Sequence, residues 1–129
     1  MYHVMIVDDE PISRIGLKSS INWKQEGLNI IGDFPNGGKA YEAMENNHVD
    51  ILITDINMPV MDGLTLMKKG MEIFPKLKVI LVSSYSNFEY VKEAIIYGAI
   101  DYILKPTLEQ EDFLQLIRKC VQKLDEEKK

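Results

Sequence analysis

The sequence predicts an α/β protein, a parallel sheet covered by helices on both faces. Three observations lead there. Five short apolar runs recur at regular spacing, none alternates with polar residues, and each is followed by a stretch with helical periodicity. Strands that are apolar throughout suit a sheet buried on both sides. Five repeats of strand then helix call for parallel pairing with right-handed crossovers.

The strands are His3–Val7, Leu28–Gly32, Asp50–Thr54, Leu77–Val82 and Tyr102–Leu104. The first helical stretch runs from Pro11 to Ile21, with Ile12, Ile15 and Ser19 on one side and Leu17 and Ile21 nearby. The second, Asn36 to Asn46, carries Ala40, Ala43 and Met44. Leu64, Met67, Met71 and Phe74 form the stripe of the third, which Pro75 ends. In the fourth, Ser86 and Glu89 have capping-box spacing. Phe88, Val91, Ile95 and Ala99 form its buried face, and Gly98 is its stop. Thr107 and Gln110 repeat that spacing before Phe113, Leu114, Ile117, Val121 and Leu124 of the fifth.

At 129 residues the chain is one domain, with enough apolar residues for a core without staples. Its net charge of −5 argues against a free-standing nucleic-acid binder. The single cysteine, Cys120, lies in a helical apolar pattern and reads as a small buried hydrophobe. No apolar run is long enough to span a membrane, and the first residues enter a strand without a signal-peptide pattern, so a cytoplasmic location is expected. His3 and His48 read as surface or strand-edge residues.

The chemistry collects at the strand ends. Asp8 and Asp9 follow the first strand, Asp55 the third, Ser83 the fourth and Lys105 the fifth. In open α/β sheets ligands bind at this carboxyl edge. Three crowded carboxylates repel one another and need a cation. Oxygen ligands with open positions suit Mg²⁺, which takes one or two carboxylates, waters and a phosphate. A carboxylate nucleophile, a hard dication, a hydroxyl and an ammonium together make a phosphoryl-accepting site.

At this point the sequence resembles the receiver domain of bacterial two-component response regulators. The matching residues are Val7-Asp8-Asp9-Glu10, Asp55-Ile56-Asn57-Met58-Pro59 with Met61-Asp62-Gly63, then Ser83, then Lys105-Pro106, over about residues 3–123. The resemblance implies a flavodoxin-like (βα)5 fold with strand order 2-1-3-4-5. It implies that Asp55 takes phosphoryl from a sensor histidine kinase, with Mg²⁺ held by Asp8, Asp9, Asp55 and the backbone carbonyl of Asn57. Ser83 and Lys105 would hold phosphoryl oxygens. The peptide before Pro106 would be cis. Ser83 and Tyr102 would form the conformational switch, and kinase choice would lie around Ser13, Arg14 and Leu17.

The segment Ser83-Ser84-Tyr85-Ser86-Asn87-Phe88-Glu89-Tyr90-Val91 is similar to that of receivers that precede an AraC-type pair of helix-turn-helix motifs. By that resemblance residues 1–123 are the receiver, and the charged tail 124–129 starts a linker to an output domain. Phosphorylation would favour a homodimer, and DNA would be bound only through that further domain. The receiver itself would be no enzyme beyond slow self-dephosphorylation. A stand-alone phosphorelay receiver and a phosphate-independent interaction module are the alternatives. Tyr85 and Ser84 would crowd the site mouth and prolong the phosphorylated state, whereas Asn57 would permit water. Tyr90 and Tyr97 fall on the fourth helix near Tyr102.

Other chemistries fit less well. An FMN site needs a Gly/Ser/Thr-rich loop where Asp8-Asp9-Glu10 stands. An EF-hand needs glycine at Val60 and glutamate at Leu66. A dehalogenase-type phosphatase would use Asp8 and Glu10 and leave the Asp55 segment unexplained.

Overall fold

A computed structural model describes residues 1–83, 88–105 and 109–128. Ser84, Tyr85, the Ser86 cap, the peptide before Pro106 and Thr107 lie outside them.

The elements alternate as expected. They are β1 (Tyr2–Val7), α1 (Pro11–Ser19), β2 (Leu28–Phe34), α2 (Gly37–Met44), β3 (Ile51–Thr54), α3 (Gly63–Ile73), β4 (Lys78–Ser83), α4 (Phe88–Tyr97), β5 (Asp101–Leu104) and α5 (Gln110–Glu127). All strand pairs are parallel, in the order β2-β1-β3-β4-β5. The reversal of direction at β1 puts the carboxyl ends of β1 and β3 side by side, with Val7 in register with Thr54. Asp8 and Asp55 are the next residues of each.

Side-chain alternation along the strands divides the core into two layers. Met5, Val7, Leu52, Val79 and Leu81 pack against Ala40, Met44, Leu64, Met67 and Ala94 of α2, α3 and α4. Val4, Ile6, Ile51, Ile53, Ile80 and Val82 pack against Leu17 of α1 and Phe113, Ile117, Cys120 and Leu124 of α5. Both faces are dry, which is why the strands show no polar alternation. Cys120 is buried and its thiol is pushed up to about 12 by burial, as suits a core residue.

Local signals set several helix ends. Asn36 caps α2 by accepting from the Lys39 N–H at 2.9 Å, and Asp62 caps α3 by accepting from the Thr65 N–H at 2.7 Å. Gly98 ends α4 at φ +105°, and the Gly98 and Ala99 N–H groups both donate to the Ala94 carbonyl.

The helical phase differs from expectation in two places. Ile12 and Ile15 of α1 are 84% and 61% exposed, and the buried residue of that helix is Leu17. On α4, among the described side chains, the fully buried one is Ala94, while Ile95 is half-exposed, and the Phe88 side chain lies outside those described. The fifth helix starts later than the Thr107–Gln110 spacing implies, with Glu109 at its N-cap.

The charged run after residue 123 continues α5 to Glu127 and is docked. Leu124 is buried, the Tyr2 hydroxyl donates to Asp125 at 2.6 Å, and Lys78 pairs with Glu127 at 2.6 Å.

Candidate functional site

The carboxyl edge of the sheet gathers the predicted residues. Carboxylate oxygens of Asp8, Asp9, Glu10 and Asp55 lie within 4.8 Å of one another. Asp8 and Asp55 are buried, whereas Asp9 and Glu10 are exposed at the rim. Lys105, just past β5, reaches into this group, with Nζ 2.7 Å from Asp8 Oδ2, 3.3 Å from Glu10 Oε1 and 3.4 Å from Asp55 Oδ2. Ser83 ends β4, in register with Leu104, and is buried at the same edge. Asn57 is exposed on the loop two residues beyond Asp55.

The backbone around Asp55 is tightly fixed. Its N–H donates to the Val7 carbonyl at 2.9 Å, and its carbonyl accepts from the buried Thr54 hydroxyl at 2.9 Å. Its carboxylate Oδ1 accepts from the Ile56 N–H at 2.7 Å, and Oδ2 faces Lys105. Gly63 presses on the same peptide: a Cβ there would stand 2.0 Å from the Asp55 carbonyl oxygen. The Gly63 N–H closes the loop onto the Ile56 carbonyl at 2.8 Å. Only a residue without a side chain fits this approach.

The chain belongs to the response regulator receiver family. The family model for the response regulator receiver domain matches residues 4–118. The chain is 42% identical over 111 residues to an uncharacterized transcriptional regulatory protein, YesN, of Bacillus subtilis, covering 86% of this chain and 30% of that protein. It thus spans less than a third of that relative's length. Among solved structures it matches the REC domain of AraT, a response regulator from Geobacillus stearothermophilus. The TM-score is 0.91 at 38% identity, over 99% of this chain and 98% of the other. It also matches a two-component transcriptional regulator AraC from Clostridium phytofermentans, with TM-score 0.89 at 32% identity over 98% and 97% of the two chains. The flavodoxin-like order 2-1-3-4-5 is therefore that of a receiver domain.

Electrostatics at the receiver's carboxyl edge are uneven. Burial, reinforced by the Asp8 charge, pushes Asp55 up to about 6, against the opposing pull of Lys105 and the Ile56 N–H. For Lys105, burial works against its charge. The neighbouring acids Asp8, Asp55 and Glu10 outweigh it and hold the ammonium above its ordinary value. Asp8 Oδ2 is wholly buried and accepts no well-aligned hydrogen bond among the described residues, although Lys105 lies 2.7 Å away. Buried carboxylate oxygen with capacity to spare, beside three further carboxylates, fits a hard, oxygen-seeking dication.

Other predicted residues fall elsewhere. Tyr102 is half-buried against the α2–α3–α4 layer, opposite Leu81 of β4. Tyr90 packs against that same layer, and Tyr97 lies half-exposed with Lys68 Nζ 4.3 Å from its ring centroid. On α1, Leu17 is buried and Arg14 is held inward by Asp33, so this helix presents Ile12 and Ile15 to solvent rather than Arg14 and Leu17. His3 and His48 do have partners, at the opposite edge of the sheet. His48 Nε2 lies 2.9 Å from Asp50 Oδ1, and the His3 N–H donates to Asp50 Oδ2 at 2.8 Å.

The sequence alone gives Thr54 no role, places Gly63 only within a motif, and gives Glu10 a role only in the phosphatase alternative. Their signal was adjacency, since each lies in or beside a segment already singled out.

Among the described residues no helix is long and apolar enough to cross a membrane.

Proposed function

We propose that Asp55 is the phosphate acceptor, taking a phosphoryl group from the phosphohistidine of a sensor histidine kinase in a Mg²⁺-dependent reaction. The observation that carries this is the buried Asp55 carboxylate between Lys105 and three other acids. A carboxylate oxygen of Asp55 forms the bond to phosphorus as the bond from phosphorus to the histidine nitrogen breaks, and the phosphoryl oxygens keep their charge. Asp8, Asp9, Asp55 and the Asn57 carbonyl would hold the metal. Mg²⁺ supplies positive charge to offset that of the incoming phosphoryl group.

This chain's own residues do the rest. The Ile56 N–H fixes the rotation of the Asp55 carboxylate. Lys105 exchanges its carboxylate partners for a phosphoryl oxygen, and the Ser83 hydroxyl binds another. Ser83 then draws inward, and Tyr102, which packs beside β4, follows. That movement changes the surface around α4 and favours a homodimer. The output is transcriptional, through an AraC-type DNA-binding domain beyond residue 129, with 124–129 leading toward it. The receiver works in the cytoplasm and does not turn over a substrate of its own beyond losing its phosphoryl group to water.

The test is intact-mass analysis after incubation with acetyl phosphate. One phosphoryl group is expected with Mg²⁺, none with EDTA and none in Asp55→Asn. Phosphorylation that persists in Asp55→Asn refutes the assignment.

A further inference from the structure

Resting on that reading, we propose that Arg14 is a positioning residue for the metal-binding acid pair, fixing the Asp8–Asp9 peptide from α1. Its Nη1 donates to the Asp8 carbonyl oxygen at 2.5 Å, and its Nε donates to Asp33 Oδ2 at 3.1 Å. Asp33 is itself held, because Lys18 Nζ donates to its other oxygen at 3.1 Å. The Arg14 side chain is only 16% exposed, so the guanidinium is committed inward. A planar fork that satisfies a carbonyl and a carboxylate at once is something a single ammonium does not reproduce.

The consequence falls on Asp8. Its N–H donates to the Phe34 carbonyl at 3.0 Å, its carbonyl is taken by Arg14, and its Oδ1 accepts from the Glu10 N–H at 2.9 Å. Oδ2 alone is left to face the site. Lys105 holds the loop from the side of the site, and α1 itself adds little. The N-cap residue of α1, Glu10, makes no side-chain capping bond, and Leu17 is the buried residue of the helix. Arg14 therefore joins the ends of β1 and β2 to the first turns of α1, at the peptide that carries both acids.

Charge and position predict opposite effects here. A cation near a cation site lowers metal affinity by repulsion, so removing it should tighten Mg²⁺ binding if Arg14 acts only through its charge. If Arg14 positions Asp8 and Asp9, removing it should weaken binding, as loss of an outer-shell partner generally does.

The experiment is a calorimetric Mg²⁺ titration of the unphosphorylated protein at fixed ionic strength, for wild type, Arg14→Met, Arg14→Lys and Asp33→Asn. The expected result is about tenfold weaker binding in Arg14→Met, at the low end of outer-shell effects. Arg14→Lys and Asp33→Asn should fall between it and wild type. The phosphoryl uptake of Arg14→Met should recover as Mg²⁺ is raised. Equal or tighter Mg²⁺ binding in a folded Arg14→Met overturns the proposal. If Arg14→Met does not fold, wild-type affinity in both Arg14→Lys and Asp33→Asn overturns it instead. A wild-type protein that binds no Mg²⁺ defeats the phosphoacceptor reading itself, which is a separate failure.

Discussion

Replacing Asp55 with asparagine should stabilise the metal-free protein while abolishing its chemistry. Burial and the Asp8 charge raise Asp55 from 3.8 to about 6, so ionising it costs the folded state roughly two pK units, or ~3 kcal/mol at 1.36 kcal/mol per unit. Asparagine can keep the bond from the Ile56 N–H, and the pull of Lys105 on the carboxylate is already contained in that balance. A neutral amide should therefore recover most of it, about 2–3 kcal/mol, or ~6–15 °C in Tm for a domain of this size. The pH dependence follows from the direction of the shift. The folded value lies above the unfolded one, so the cost of the wild-type carboxylate is absent below about pH 4, where both states are protonated. It grows as pH rises and is complete above about pH 6. Thermal melts of both proteins in EDTA, from pH 4 to 8, should show curves that coincide in acid and separate toward pH 8. A variant that melts at or below wild type at pH 8, or whose advantage is the same at pH 4, would show that Asp55 is not under electrostatic strain.

Further tests address the same site and its supports. Mg²⁺ should raise the wild-type Tm by linkage, by about 1.4 kcal/mol at ten times Kd, and Asp8→Asn and Asp9→Asn should lose most of that rise in a thermal-shift assay. Gly63→Ala should destabilise by about 3 kcal/mol or more in urea titrations, because its Cβ would overlap the Asp55 carbonyl, and the protein that remains folded should take up phosphoryl poorly. Leu124→Ala should cost about 2–4 kcal/mol in the same titrations, since Leu124 closes the core beneath α5; a neutral result would detach that last turn from the domain.

The strands and the site were legible for one reason. A strand buried on both faces carries an unbroken apolar run, so its end is marked sharply by the first polar residue. Asp8, Asp55 and Lys105 are those residues, and the parallel topology collects them at one edge. Helical phase was harder to see where few residues decide it. On the nine-residue α1, Leu17 is the buried anchor, and Ile12 and Ile15 mimic a core stripe while facing solvent. On α4, among the described side chains, the buried one is Ala94, whose small side chain gives a weaker signal than the neighbouring Ile95. The His3–Asp50 contacts, unlike the local one between His48 and Asp50, arise from the pairing of β1 with β3, where the Asp50 N–H donates to the His3 carbonyl at 2.9 Å. No single segment announces such a pairing. Arg14 read as surface because its partners, Asp33 and the Asp8 carbonyl, come from two other strand ends.

The same geometry gives the proposed switch a short route. Ser83 ends β4, and Leu81, two residues earlier on the same strand, lies in register with Tyr102 of β5. Leu81 and Tyr102 both belong to the layer under α2, α3 and α4, so a change at Ser83 reaches that layer by packing alone. On the outer side α4 is tied to α3 by Lys68, which pairs with Glu93 and lies over the Tyr97 ring. Beyond that clasp Ile95 and Ile96 are exposed. In the proposed switch, an inward step of Ser83 and Tyr102 would act on a helix that packs inward through Ala94 and Tyr90 and is tied outward by a part-exposed ion pair, which holds weakly. The buried acids at the same edge of the sheet, just past β1 and β3, are rigid by comparison, fixed by backbone hydrogen bonds and by Gly63. By the proposed switch, strain relieved at Asp55 would thus be released on the surface of α4.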